Sequence, residues 1–143
     1  MLCHVLDLEL GNIKSILNAL KFIGSKTHII RSSKEFNGVN RLIIPGVGSF
    51  NSFMKKIKND DIEYEIKKFV KKGNPTLGIC LGMQVFLSKG YEFGEMNGLN
   101  FFKGSVIKIP NKKNKTKLPL VGWHTLKNNN YFQNKLLYDC NPF

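Results

Sequence analysis

Acidic residues are scarce: 10 Asp and Glu stand against 22 Lys and Arg in 143 residues, a formal charge of +12 with histidine neutral. Cysteine is scarcer still. Cys3, Cys80 and Cys140 are odd in number, widely spaced and form no C-x-x-C pair. That excludes a disulfide-stapled miniprotein and leads to an expectation of free thiols in a reducing cytoplasm. No apolar run reaches the ~18 residues that a membrane-spanning helix needs, and no signal-peptide pattern opens the chain. Internal repeats and linker-like stretches are missing too. What is present is core material: 42% hydrophobic and 11% aromatic residues, which a disordered or collagen-like chain lacks. The length suits one domain that buries roughly 68% of its unfolded surface.

An excess of positive charge attracts polyanions in general. Here the basic residues scatter, with local concentrations only at Lys67–Lys72 and Asn111–Lys117. Neither is interleaved with the aromatics and glycines of a single-strand binding platform. The expectation is a solvated lysine surface, with neither nucleic acid nor membrane as a partner.

Met1–Leu8 is apolar and strand-like. Ile13, Ile16, Leu17, Leu20 and Ile23 then recur at the spacing of one buried helix face, stopped by Gly24. Thr27–Arg31 and Arg41–Pro45 read as short strands covered on two faces. A weak helix over Phe50–Ile57 precedes a stronger one over Asp60–Lys72, with Asp60 or Asp61 near its cap and Ile62, Ile66, Phe69 and Val70 inward. Gly73-Asn74-Pro75 breaks it. Thr76–Ile79 is another buried strand and Leu81–Leu87 is helical. Beyond them Leu99–Phe102, Ser105–Ile109 and Leu118–Val121 suggest short strands, with polar loops at Asn111–Lys117 and Asn128–Asn130. Alternating strands and helices up to residue 88 predict a mostly parallel sheet with helices on both faces, and the later strands an antiparallel extension.

The stretch that carries chemistry is Gly78-Ile79-Cys80-Leu81-Gly82, a G-x-C-x-G between a buried strand and a helix. It is the cysteine form of a nucleophile elbow. A nucleophile on so sharp a turn needs tiny neighbours two before and two after, which Gly78 and Gly82 provide. The turn aims the sulfur out of the C-terminal edge of the sheet, where open α/β sheets bind ligands. A helix N-terminus favours the thiolate over the thiol. The Leu81 N–H is then placed to receive an oxyanion. A second glycine-rich turn, Pro45-Gly46-Val47-Gly48-Ser49, lets backbone approach a ligand closely. It is no dinucleotide fingerprint, because Asn51 stands where a third glycine is needed, and Gly24-Ser25-Lys26-Thr27 is no P-loop. Taken alone, 45–49 reads equally as a tight turn.

PGVGSF at 45–50 followed by LGICLGMQ at 77–84 resembles the class I glutamine amidotransferases. Within them the chain is most similar to the glutaminase subunits of imidazole glycerol phosphate synthase. LDLELGNIKSILNALKFIG (6–24) resembles that group's opening D-x-G-x-G-N strand and helix, and LPLVGWHTL (118–126) its P-x-M-G-W-N segment. The resemblance runs from about Val5 to Leu126. It implies a three-layer, flavodoxin-like α/β fold. It implies that Cys80 attacks the side-chain amide of glutamine, that Gly46, Val47 and Gly48 line the oxyanion side with Leu81 opposite, and that Gln84 helps hold the substrate. Pro119, Gly122 and Trp123 fall in a stretch implied to sit near a cyclase partner, a (β/α)8 barrel that uses the ammonia. No cofactor and no metal are implied.

The sequence also departs from the family. Its H-P-E segment, which supplies the His and Glu that serve the cysteine, is absent, as is the F-Y-F-V-H-S-Y strand. The expectation is a single amidotransferase domain over 1–143, incomplete at its C-terminus, marginally stable through an open sheet edge. His4, His28 and His124 are poor substitutes for the base. Glu9 replaces a family glycine, Leu120 and Val121 replace His and Met, and His124 replaces Asn. Two function classes stand beside the glutaminase: a non-catalytic module that docks on a synthase barrel or on a sugar-modifying amidotransferase, and another cysteine-elbow protein such as a small hydrolase.

Overall fold

The computed structural model of the chain describes residues 1–110, 118–119 and 121–122. Met1–Lys108 forms one compact unit and Ile109–Phe143 a second. In the second unit the described residues lie in bends or irregular backbone. The predicted strand Leu118–Val121 is not seen there: Leu118 and Pro119 occupy a bend, and Leu120 falls outside the described residues. Asn111–Lys117 and Asn128–Asn130 also fall outside them.

The first unit opens with β1 (Leu2–Leu6), α1 (Ile13–Phe22) and β2 (Lys26–Ile30), then a 3-10 turn (Ser33–Phe36) and β3 (Leu42–Gly46). Next come α2 (Phe50–Asn59), α3 (Ile62–Lys71), β4 (Thr76–Cys80) and the one-turn α4 (Leu81–Gln84). β5 (Leu87–Gly90), β6 (Met96–Asn97) and β7 (Phe102–Val106) complete it. The order β2-β1-β3-β4 is parallel throughout. A second, mixed sheet β6-β5-β7 follows, with β5–β6 antiparallel and β5–β7 parallel, so its antiparallel pair is made by strands other than the later ones expected to form it.

Strand side chains alternate between two cores, as period-2 geometry requires. Cys3, Val5 and Ile43 face one way and meet Leu20 with Ile13, Ile16 and Leu17 of α1. Leu6, Ile30, Leu42 and Ile44 face the other way, into a larger core with Phe50, Phe53, Met54 and Ile57 of α2 and Ile62, Ile66 and Phe69 of α3. Helices therefore cover both faces of the sheet.

Local chemistry sets the helix ends. The Asn12 side chain accepts from Ser15 N–H at 3.2 Å and caps α1. Gly24, with φ +71°, closes that helix, with Ser25 N–H donating to Leu20 O and Gly24 N–H to Lys21 O. Ser49 caps α2 through Ser52 N–H. Asp61 precedes α3 in a left-handed conformation, without a side-chain cap bond.

Four expectations need correction. β2 is not covered on two faces: Lys26, Thr27 and His28 are exposed because it is an edge strand. Helix does not run on to Leu87, since α4 stops at Gln84 and Leu87 opens β5. Leu99–Phe102 is mostly a loop: Leu99 N–H donates to Val85 O and Asn100 N–H to Leu87 O, and Asn100 adopts φ +59°. The strand expected over Ser105–Ile109 instead runs Phe102–Val106, the last among the described residues. Among the described residues β4 has a strand neighbour on one side only, and its Leu77 is 41% exposed.

Candidate active site

Cys80 ends β4 and precedes α4 with φ +56° and ψ −117°, a backbone conformation that L-residues rarely adopt. Two contacts force the glycines around it. A Cβ on Gly82 would stand 1.8 Å from the Ile44 carbonyl oxygen, and one on Gly78 would stand 2.6 Å from Met83 Cα. Backbone thus packs on backbone at both flanks, leaving no room for a side chain at either position in this turn. Cys80 is exposed, whereas Cys3 is buried, with Ser25 Oγ donating to its sulfur at 3.4 Å.

The β3–β4 ladder brings the second motif alongside. Its register runs from Leu42 opposite Thr76 to Gly46 opposite Cys80. Gly46 is itself hemmed in: a Cβ there would stand 3.0 Å from the Phe53 ring and 3.3 Å from Gly82 N. Val47 is exposed and its N–H donates to Leu10 O at 2.8 Å, tying the loop to the opening segment. Gly48 has φ +104° in open space, which reserves that position for glycine. Leu81 is buried and Gln84 half-buried just past the thiol. Among the described residues no carbonyl accepts the Leu81 N–H. In this conformation Leu81 is the available elbow donor, and recruiting Val47 N–H would require release of its bond to Leu10.

Of the site residues named from sequence, the structure brings together Gly46, Val47, Gly48, Gly78, Cys80, Leu81, Gly82 and Gln84. Trp123 and His124 lie outside the described residues. One side chain beside the loop carried no motif: the Glu92 carboxylate accepts from Phe50 N–H at 3.0 Å, and Asn51 Nδ2 donates to Phe93 O at 3.1 Å. The turn after β5 is thereby fastened to the start of α2. Gly90 allows it, since a Cβ there would stand only 2.5 Å from the Phe50 ring atoms. The only sequence hint was an acidic residue in a chain with few.

His4 and His28 are far from the thiol. They face one another in register, and His4 is level with Leu42, which is level with Thr76. Cys80 is four residues further along β4, about 13 Å at strand rise. A cleft of about 400 Å³ between the 3-10 turn and α3 is lined by Lys34, Phe36, Val39, Lys68, Lys72 and Asn74 among others. Val39 and Asn74 precede β3 and β4, so it opens at the opposite strand ends and does not serve Cys80. Glu9, at the family's glycine, has φ +58° and donates its N–H to Asp7 Oδ1 at 3.0 Å.

An exposed thiol on a strand-to-helix elbow at the C-terminal edge of a parallel sheet, flanked by a glycine-rich loop, is the layout of a cysteine nucleophile elbow. The sequence profile of the class-I glutamine amidotransferases matches residues 4–135, and the chain belongs to that family. It is 41% identical over 122 residues to the imidazole glycerol phosphate synthase subunit HisH of Caldanaerobacter subterraneus subsp. tengcongensis, covering 85% of this chain and 59% of that protein. Identity is 38% over 124 residues to the subunit of that name from Wolinella succinogenes, covering 84% and 60%. The chain thus spans about three fifths of the length of these curated relatives. A crystal structure of a glutamine amidotransferase superposes with a TM-score of 0.59 at 28% identity, over 68% of this chain and 51% of the other. A putative peptidase E from Listeria monocytogenes, 12% identical with a TM-score of 0.53, shares the fold over 62% of this chain and 50% of its own. No described helix is long and apolar enough to cross a membrane.

Proposed function

We propose that the chain carries the nucleophile side of a glutaminase that supplies ammonia to imidazole glycerol phosphate synthesis. Cys80 Sγ, its proton removed by a base, adds to the carboxamide carbon of glutamine. The tetrahedral oxyanion faces Leu81 N–H and the Gly46–Gly48 loop. The proton taken from the thiol passes to the amide nitrogen, the C–N bond breaks to expel ammonia and leave the thioester, and water then releases glutamate and restores the thiol. In this reading Gln84, half-buried four residues past the thiol, helps hold the glutamine, and the Glu92 carboxylate, fastened to Phe50 N–H at the end of the glycine-rich loop, would offer counter-charge to its ammonium. The observation that carries the reading is the pairing of Gly46 with Cys80 across the β3–β4 ladder, with the thiol exposed.

The sequence contains no H-P-E segment to supply that base. His4 and His28 sit about 13 Å away along the strands, out of proton-transfer reach. In this reading 1–143 is part of one amidotransferase domain, acting in the cytoplasm against a cyclase (β/α)8 barrel, with Trp123 and its neighbours at the contact. The same shortage of bases favours a second reading, a non-catalytic module that only docks. Ammonia release from glutamine, measured for the chain alone and with the barrel, separates the two. Turnover that depends on Cys80 supports the glutaminase. Failure of both ammonia release and Cys80 labelling by a diazoketone analogue of glutamine overturns it.

A further inference from the structure

The cleft between the 3-10 turn and α3 carries charge of nearly one sign. Lys34 of the turn, with Lys68 and Lys72 at the end of α3, lines it against a single carboxylate, Glu65. Lys68 already holds that carboxylate, Nζ to Oε1 at 3.2 Å, and lies over the Tyr64 ring. Lys34 and Lys72, both exposed, enter no ion pair among the described residues. Two ammonium groups thus line one space without a counter-charge, and an anion between them relieves their repulsion. Backbone adds a donor. Asn37 (φ −67°, ψ 130°) and Gly38 (φ +78°) turn the chain, with Val39 N–H donating to Phe36 O at 3.3 Å. This is a type II turn, which needs glycine at its third position. Gly38 N–H has no backbone acceptor among the described residues, and a turn N–H left open in this way suits an anion. Carbonyls at the end of α3 would repel one, but they are engaged: Lys68 O by Lys72 N–H, Val70 O by Gly73 N–H and Phe69 O by Asn74 Nδ2.

We propose that this cleft binds the phosphate monoester of a small polyol, a sugar phosphate in class. Such a group carries about −1.5 to −2 charges near neutrality, which matches two unpaired ammonium groups better than a carboxylate does. Lys34 Nζ, Lys72 Nζ and Gly38 N–H supply its charge-assisted hydrogen bonds. The rest of the ligand is polar because the rest of the lining is: Ser33, Asn37 and Asn74 offer hydroxyl and amide partners. Phe36 and Phe69 also border the cleft, but both are buried and leave little ring for a base or other flat group to stack on. At about 400 Å³ the space is of small-molecule size, larger than a bare ion needs. The site opens at the strand ends opposite Cys80 and stands apart from the proposed glutaminase chemistry.

Calorimetric titration of the full chain with glucose 6-phosphate in low salt tests this. A dissociation constant of about 1 mM or tighter is expected, with glucose inert and inorganic phosphate roughly fivefold weaker. Lys34→Gln with Lys72→Gln weakens binding about tenfold. Lys14→Gln with Lys21→Gln removes the same two charges from α1, on the other face of the sheet, and leaves binding within about twofold. A second readout needs no variant: the amide resonance of Gly38 shifts on titration while those of Val47 and Gly48 stay in place. Absence of binding up to about 10 mM, equal weakening in the two double variants, or inorganic phosphate binding as tightly as the sugar phosphate overturns the proposal. So does a titration that moves the Val47 and Gly48 amides and leaves that of Gly38 unmoved.

Discussion

Gly82 has less freedom than any other described residue around the thiol. Its hypothetical Cβ stands 1.8 Å from the Ile44 carbonyl oxygen, a backbone atom that cannot rotate away. Gly82→Ala should therefore cost about 3 kcal/mol or prevent folding, read as a lowered urea midpoint. Glu9 is the opposite case, a non-glycine residue at φ +58° in an exposed loop. Glu9→Gly relieves left-handed strain of about 1–2 kcal/mol while adding unfolded-chain entropy, so a net gain of about 0.5 kcal/mol is expected in the same measurement. Cys80→Ser should abolish labelling by a glutamine-shaped electrophile and leave the melting temperature within a degree or two, the thiol being exposed. These glycine and cysteine positions were legible in the sequence because each residue type answers a local steric demand. Glu92 was not: its role depends on a hydrogen bond across 42 positions, from Phe50 N–H, which no short spacing encodes.

Among elements, those with strong periodicity or explicit end signals were read within a residue or two. α1 has both, an Asn12 cap and a Gly24 stop, and Asn12→Ala should cost about 1 kcal/mol in chemical unfolding. The reading failed from Val85 to Phe102. There Leu87–Gly90 and Phe102–Val106 pair in parallel across an intervening loop, and their residues carry no alternation to announce it. Leu99, buried and apolar, reads as strand centre but serves as a loop anchor, its N–H held by Val85 O. The exposure of β2 was also missed, because three polar or charged residues in a short β-branched run do not say which strand lies at the edge.

At the scale of the molecule, histidine is the side chain whose ordinary pKa brings its charge change near neutrality. His4 is held below its ordinary value in the folded chain by burial and by His28. The unfolded chain therefore takes up that proton first. Stability that is full above about pH 6.5 is lost as the pH falls through the folded value. Melting temperature should drop between pH 7 and pH 5, and His4→Phe should flatten that slope. The parallel sheet with helices on both faces was legible from the alternation of strand and helix, but its order β2-β1-β3-β4 was not. The position of the second sheet was not, since its contacts with α2 join segments some forty residues apart.

The ladder between β3 and β4 has a consequence for how this centre tolerates change. Ile44 fills the main core while its carbonyl fixes the elbow, and two residues later the same strand delivers Gly46 beside the thiol. Sliding that strand by one position would turn Ile44 out into the opposite layer and carry the loop past the sulfur in the same motion. Alignment of the reacting parts is thus inherited from the oil-filled middle of the molecule, and any lineage that preserves the one keeps the other without separate selection.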